Sequence, residues 1–201
     1  MLRFAKTRIG AFRREARGLA AVEFALILPV MIALLFGMAE LSRAIFCRTA
    51  ISQIASTVAD LIAQENSVNA GDFTNVYNAA NVILYPYYPD VSSQKPTIRI
   101  TSVIYDANKS DGMSGTVDWT CNQPGSGTLS PATLSKGSNV SFGKVLLSSG
   151  GSVLMVEVAY NYSPPTTYEI VGGLEFNDKF YTKPRRVAQI PAPSPAPTGC
   201  S

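Results

Sequence analysis

An apolar run near the N-terminus constrains this chain more than any other feature. From Leu19 to Ala39, LAAVEFALILPVMIALLFGMA, 21 residues carry one charge, Glu23, and the last 16 of them carry none. As a helix rising about 1.5 Å per residue the stretch is about 31 Å long, close to the roughly 30 Å hydrocarbon core of a bilayer. Six basic residues (Arg3, Lys6, Arg8, Arg13, Arg14, Arg17) stand ahead of it, and only Arg43 and Arg48 follow closely. That asymmetry predicts a single membrane span with a cytoplasmic N-terminus and the rest of the chain across the membrane. Pro29 lacks the N–H that would reach the carbonyl of Ala25, so a bend or loosening is expected there. Glu23 is the anomaly. A carboxylate in hydrocarbon costs on the order of 3 kcal/mol even on lenient insertion scales, so its presence points to a use.

Charge and composition narrow the function classes. The chain of 201 residues has a net charge of +3, but from Leu19 onward 11 basic residues face 13 acidic ones, a net of −2. The basic excess thus belongs to the leader, and no basic stripe with interleaved aromatics suits nucleic acid as a partner. The sequence has no histidine, the residue best placed for acid–base work at neutral pH and the commonest metal ligand. Cys47, Cys121 and Cys200 form no closely spaced pair, so a zinc site is not expected. GxSxG, Walker-loop and HExxH patterns are absent as well. Asp106, Asp111 and Asp118 fall in or near loops, and residues 106–112 lack the spacing and closing Glu of an EF-hand, so they read as a polar turn. The chain is expected to have no catalytic residue, no cofactor and no metal, and to be a protease's substrate rather than an enzyme.

Gly18-Leu19-Ala20-Ala21-Val22-Glu23-Phe24 sets a glycine, four residues, then Glu and an aromatic, between a basic leader and the apolar run. The arrangement resembles the class III leader of type IV prepilins. More closely, residues 13–62 resemble the opening of TadE-like pseudopilins of the bacterial tight-adherence (Tad/Flp) pilus system. A weaker likeness covers FYTKPRR, Phe180 to Arg186, ahead of Cys200. The resemblance implies cleavage between Gly18 and Leu19 by a membrane aspartyl prepilin peptidase. It implies that Glu23, now the fifth residue and followed by Phe24, serves assembly by meeting the new α-amine of a neighbouring subunit. A paired carboxylate is much less costly in lipid than a lone one. The implied partners are the prepilin peptidase, other pilins or pseudopilins through the N-terminal helix, the inner-membrane assembly platform and the membrane itself. The implied location is the bacterial inner membrane, single-pass, with a periplasmic C-terminal domain and a possible further place on the pilus at the cell surface. About 140 residues follow the helix, more than in Flp-type structural pilins, so the implied role is a minor pseudopilin needed for pilus assembly; length does not separate TadE-like from TadF-like proteins. Two alternatives stand beside it. Gly37-Met38-Ala39 offers a small-x-small signal-peptidase site, which would release a secreted binding protein starting at Glu40. An uncleaved single-pass scaffold of the same machinery would not polymerise.

The remaining pattern gives the fold class, α+β and pilin-like in outline: a long N-terminal transmembrane helix, then a small domain with a mostly antiparallel sheet of about four strands. The segments are a basic cytoplasmic leader (1–18), a transmembrane and amphipathic helix (19–64), a periplasmic α+β domain (65–190) and a Pro-rich tail (191–201). Cys47, Ile51, Ile54, Val58 and Leu61 recur at helical spacing and form one stripe, covered most simply by the chain's own sheet and otherwise by a partner helix. Cys47 on that stripe reads as a buried free thiol. Asp72 is the expected N-cap of a second helix that runs to about Leu84 and stops at Tyr85-Pro86-Tyr87-Tyr88-Pro89. Its tyrosines pack a turn on the core or form an exposed adhesive patch.

Alternation predicts strands at 97–105, at 115–121 with Val117, Trp119 and Cys121 on one face, and at 152–162 with Leu154, Val156, Val158, Tyr160 and Tyr162 on one face. Phe180 to Arg186 reads as an edge strand, since Pro184 is tolerated only there. The tail, with proline at 191, 193, 195 and 197, is expected to be an extended tether. Cys121 and Cys200 both fall on the translocated side, where disulfides persist. Joining them would close a loop of about 80 residues and contribute roughly 4 kcal/mol. Pairing of Cys47 with either, or two free thiols, remains open.

Overall fold

The structure, a computed structural model, describes residues 16–87, 95–105, 113–142, 150–163 and 173–201. The chain divides into two compact units between Ser42 and Arg43, and one helix, α1 (Ala16–Ala63), contributes to both. The second unit is an α+β domain built from the last 21 residues of α1, a second helix and a five-stranded antiparallel sheet.

In this unit α1 is amphipathic. Ala44, Cys47, Ile51, Ile54, Ala55, Val58, Ala59, Ile62 and Ala63 are buried, whereas Thr49 and Gln53 are exposed. The chain's own sheet covers the stripe. Leu61, expected on it, is exposed, and Ile62 takes its place. The reason is the row Ala55, Ala59 and Ala63. These small side chains are buried too, and they rotate the covered arc away from Leu61.

The second helix, α2, spans Ala70–Leu84 and buries Phe73, Val76, Ala80 and Leu84. Its N-cap is Asn69, three residues before the expected Asp72. Asn69 Oδ1 accepts from the backbone N–H of Gly71 (2.7 Å) and of Asp72 (3.3 Å), while the Asp72 carboxylate accepts from Asn69 N (2.9 Å). This is a capping box, so Asp72 is its third-residue partner rather than the cap. The helix ends in a 3-10 turn, Tyr85–Tyr87, where Tyr85 is exposed and Tyr87 packs on the core. Tyr88 lies outside the described residues.

The strands are β1 (Thr97–Tyr105), β2 (Ser114–Gln123), β3 (Asn139–Ser141), β4 (Ser152–Tyr162) and β5 (Leu174–Thr182), in the order β3-β2-β1-β4-β5. Every pairing is antiparallel. The sheet has one strand more than expected because β3 is three residues long, too short to show alternation. The edge strand β5 begins at Leu174 and ends at Thr182, so Pro184 lies past it.

Ile98, Ile100, Trp119, Cys121, Leu154, Val156, Val158, Tyr160 and Tyr162 share one core with both helices. Phe73 stands edge-on to Trp119, ring centroids 6.1 Å apart. Val117 is not in this core. Ser102 pairs with Trp119 and Val103 with Val117, so Asp118 is an extra, unpaired residue on β2. A bulge of this kind breaks the two-residue alternation, and Val117 packs with Val103 and Val153 in a separate cluster.

The other face of the sheet carries a buried row of charge. Arg99 on β1 donates from Nε to Glu157 Oε2 on β4 (2.7 Å), and its Nη2 lies 2.5 Å from the same oxygen. Lys179 on β5 holds Glu157 Oε1 at 2.6 Å. Arg99 and Glu157 are both about 1% exposed. Residues 124–138 lie over this face. Arg99 Nη1 reaches the carbonyl of Pro131 (2.7 Å), Thr97 Oγ1 donates to Gly127 O (2.6 Å), and Leu129 is buried. Gly127 approaches β4 so closely that a Cβ there would overlap the backbone of Ala159 and Tyr160.

The tail is no free tether. Arg185 N donates to Ala63 O (2.9 Å) and its side chain pairs with Asp60 (2.7 Å), both at the end of α1. Ser152 N donates to Ala188 O, and Trp119 Nε1 to the carbonyl of the buried Ile190 (2.9 Å). Farther on, residues 199–201 run antiparallel to β2, and Cys121 is bonded to Cys200 across that pairing. Cys47 is free and buried.

Removing one member of a buried ion pair typically costs about 3–5 kcal/mol, because the other charge is left uncompensated. Glu157→Leu is therefore expected to lower unfolding stability by roughly that amount, since it strands Arg99. Arg99→Met should cost less, because Lys179 still holds Glu157. Urea unfolding of the two variants followed by Trp119 fluorescence measures the order.

Candidate functional site

The first half of α1 is helical because it is rich in Leu, Ala, Met and Ile, and nothing within the described chain covers it. Every residue from 18 to 36 is exposed, including Leu19 (65%) and Phe24 (60%). The helix is long and apolar enough to cross a membrane, with none of its most apolar window buried. It passes through Pro29 without interruption. The lost hydrogen bond therefore does not break it.

Glu23 is exposed on this apolar surface and makes no hydrogen bond or ion pair with any described residue. It lies four residues after Leu19, about one turn and some 6 Å along the axis, on the same helix face. Gly18 is an exposed residue of α1, and nothing beyond its own stretch of helix comes within 4 Å of where a Cβ would stand. The Gly18–Leu19 bond, Glu23 and Phe24 thus lie within two turns of one exposed stretch of helix. Cys121 and Cys200 form a separate covalent staple in the second unit.

Other titratable groups are engaged elsewhere. Asp118 pairs with Lys136 (3.2 Å), and Glu175 accepts from Thr128 N (2.6 Å). Residues 106–112 lie outside the described residues. Among the described residues no three metal-ligating side chains cluster. Among the described residues, an open hollow lined by Ser126, Asn161, Tyr162, Ser163, Gly173, Leu174 and Glu175 holds no nucleophile paired with a base. Alternation analysis did not single out Arg99 and Glu157. The available signal was a lone charge within each of two largely apolar strands.

A family model described as TadE-like protein matches residues 18–60. The match begins at Gly18, covers α1 almost to its end and includes none of the sheet. No curated protein and no solved structure matches the chain. The bare apolar helix defines the class, a single-pass membrane protein with an α+β domain. The family match, over residues 18–60 only, is a likeness to TadE-like proteins and supports involvement in the Tad pilus system, with other pilus components and the membrane as surroundings.

Burial in the helix–sheet core pushes the Cys47 thiol up to about 12 and raises the Tyr77 hydroxyl as well. The folded state therefore holds the Cys47 proton where the unfolded chain, near 9, has lost it. This contribution to stability is intact below about pH 9 and declines as pH rises from about 9 towards 12. At pH 8 the folded chain is expected to take up no maleimide, and the urea-unfolded, unreduced chain one, as read by intact mass.

Proposed function

We propose that this chain is a minor pseudopilin needed for assembly of a Tad/Flp-type pilus, processed by a prepilin peptidase between Gly18 and Leu19. The observation that carries this reading is one carboxylate, Glu23, on an otherwise bare apolar helix, five residues past the glycine at which the TadE-like match starts. Cleavage creates an ammonium on Leu19. In a bundle of parallel helices staggered by about one turn, the ammonium of one subunit meets Glu23 of the next. Each pair removes the cost of a lone carboxylate in lipid and fixes the axial register. Phe24, adjacent and exposed, packs against the neighbouring helix.

Ala39 lies mid-helix, which weighs against release after that residue. The basic leader places the N-terminus in the cytoplasm and the α+β domain in the periplasm, an oxidising compartment that suits the Cys121–Cys200 bond. The chain sits in the inner membrane and works with other pilins and the assembly platform. It acts by packing rather than by catalysis.

Intact mass of the chain extracted from membranes tests the processing step: it is expected to start at Leu19, and a chain starting at Glu40 contradicts the proposal. Gly18→Phe should leave the precursor uncut. Glu23→Ala should be cut normally yet lower pilus number at least tenfold by electron microscopy. Normal piliation with Glu23→Ala would favour a scaffold that never enters a filament.

A further inference from the structure

We propose that residues 191–201 form a latch on the outer edge of β2 that the Cys121–Cys200 bond alone holds shut, so that reduction uncovers this edge while the rest of the domain stays folded. β3 covers only the first part of β2, through Ser114, Gly115 and Thr116, and Val117 exchanges hydrogen bonds with Gly137 and Ser138. Beyond the bulge the edge belongs to the tail. Thr120 N donates to Ser201 O (2.9 Å), Ser201 N to Thr120 O (2.8 Å) and Asn122 N to Gly199 O (2.9 Å).

The tail is held unequally along its length. Its near end is anchored through Arg185 to α1, through Ala188 to β4, and through the buried Ile190 with its carbonyl on the Trp119 indole. Its far end has much less. Of residues 191–201 only Pro193 is buried, Cys200 packs partly against the core, and the described hydrogen bonds to the sheet are the three above. Three exposed-edge hydrogen bonds give a small net gain in water, while fixing the backbone of this segment has an entropic cost for every residue ordered. Without the covalent bond the far end should detach up to Ile190. The near anchors and both cores do not depend on it.

Opening is a thiol–disulfide exchange with a dithiol. Cys121 is fully buried and Cys200 partly accessible, so the attacking thiolate reaches the sulfur of Cys200. Cys121 leaves as a thiolate and takes up a proton. The second thiol of the dithiol then displaces Cys200 as a thiol, and the dithiol departs as its own disulfide. The opened edge presents two N–H groups and one carbonyl, an acceptor for an extended segment.

Hydrogen–deuterium exchange on the full chain in detergent micelles tests this, comparing the oxidised protein with the same protein in dithiothreitol and with Cys200→Ser. The amides of Thr120 and Asn122 should exchange at least tenfold faster in both latter forms, while the Trp119 indole N–H and the amides of β1 and β4 keep their rates. Unchanged exchange at Thr120 and Asn122 would show that the tail stays docked without the bond. Equal acceleration across β1 and β4 would show that the bond staples the whole fold. Either result overturns the latch.

Discussion

A carboxylate on a bare apolar helix is the constraint around which this protein is arranged. Hydrocarbon accepts the Leu, Ile, Met and Phe surface of residues 19–39 but not Glu23, and no described residue of the chain pairs with it. The helix therefore has three environments to satisfy. The chain's own sheet covers the stripe from Ala44 to Ala63; in the proposed function lipid covers the first half and a cation from outside compensates Glu23. In the proposed function that cation is the amine released on Leu19 of another subunit, which makes cleavage and assembly parts of one electrostatic event.

The second unit looks built to hold the end of α1 firmly. Its sheet packs on one face against α1 and α2 and on the other against residues 124–138. The buried Arg99–Glu157–Lys179 row ties β1, β4 and β5 together and fixes the covering segment through Pro131. Such buried charge adds little stability compared with apolar packing, but it penalises strand registers that separate the partners. The tail then fastens the last turn of α1 to the sheet through Ala63 and Asp60.

Much of this architecture was legible in the residues. The apolar run, its basic flank and the stop at Tyr85-Pro86 follow from length and proline chemistry. The alternation of Leu154 to Tyr162 located the β4 core face correctly. The errors arose where local pattern is silent. The bulge at Asp118 cannot be read from a sequence that alternates regularly through Val117, Trp119 and Cys121, because pairing with β1 creates it. Asn69 outcompeted Asp72 as the cap because the reciprocal capping box uses both residues, and the expectation counted only one. Leu61 stands outside the buried stripe because Ala55, Ala59 and Ala63 steer the covered arc, and such small side chains give little apolar signal in a sequence. The tail read as a tether because its contacts with Ala63, Trp119 and Thr120 join residues far apart in the chain. As for the candidate site, Gly18, Leu19, Glu23 and Phe24 were all nameable from the sequence. Their exposure and the absence of a described partner for Glu23 required the structure.

Zero-length carbodiimide coupling within assembled pili or native membranes tests the central claim most directly. An amide bond between the Glu23 carboxyl and the α-amine of Leu19 forms only if the two groups are in contact. The account predicts a cross-linked peptide pair joining Leu19 of one subunit to Glu23 of another, found by mass spectrometry after mixing isotopically light and heavy cells' subunits. Recovery of only the loop within one chain, Leu19 to its own Glu23, or of no coupled product at all, would contradict it.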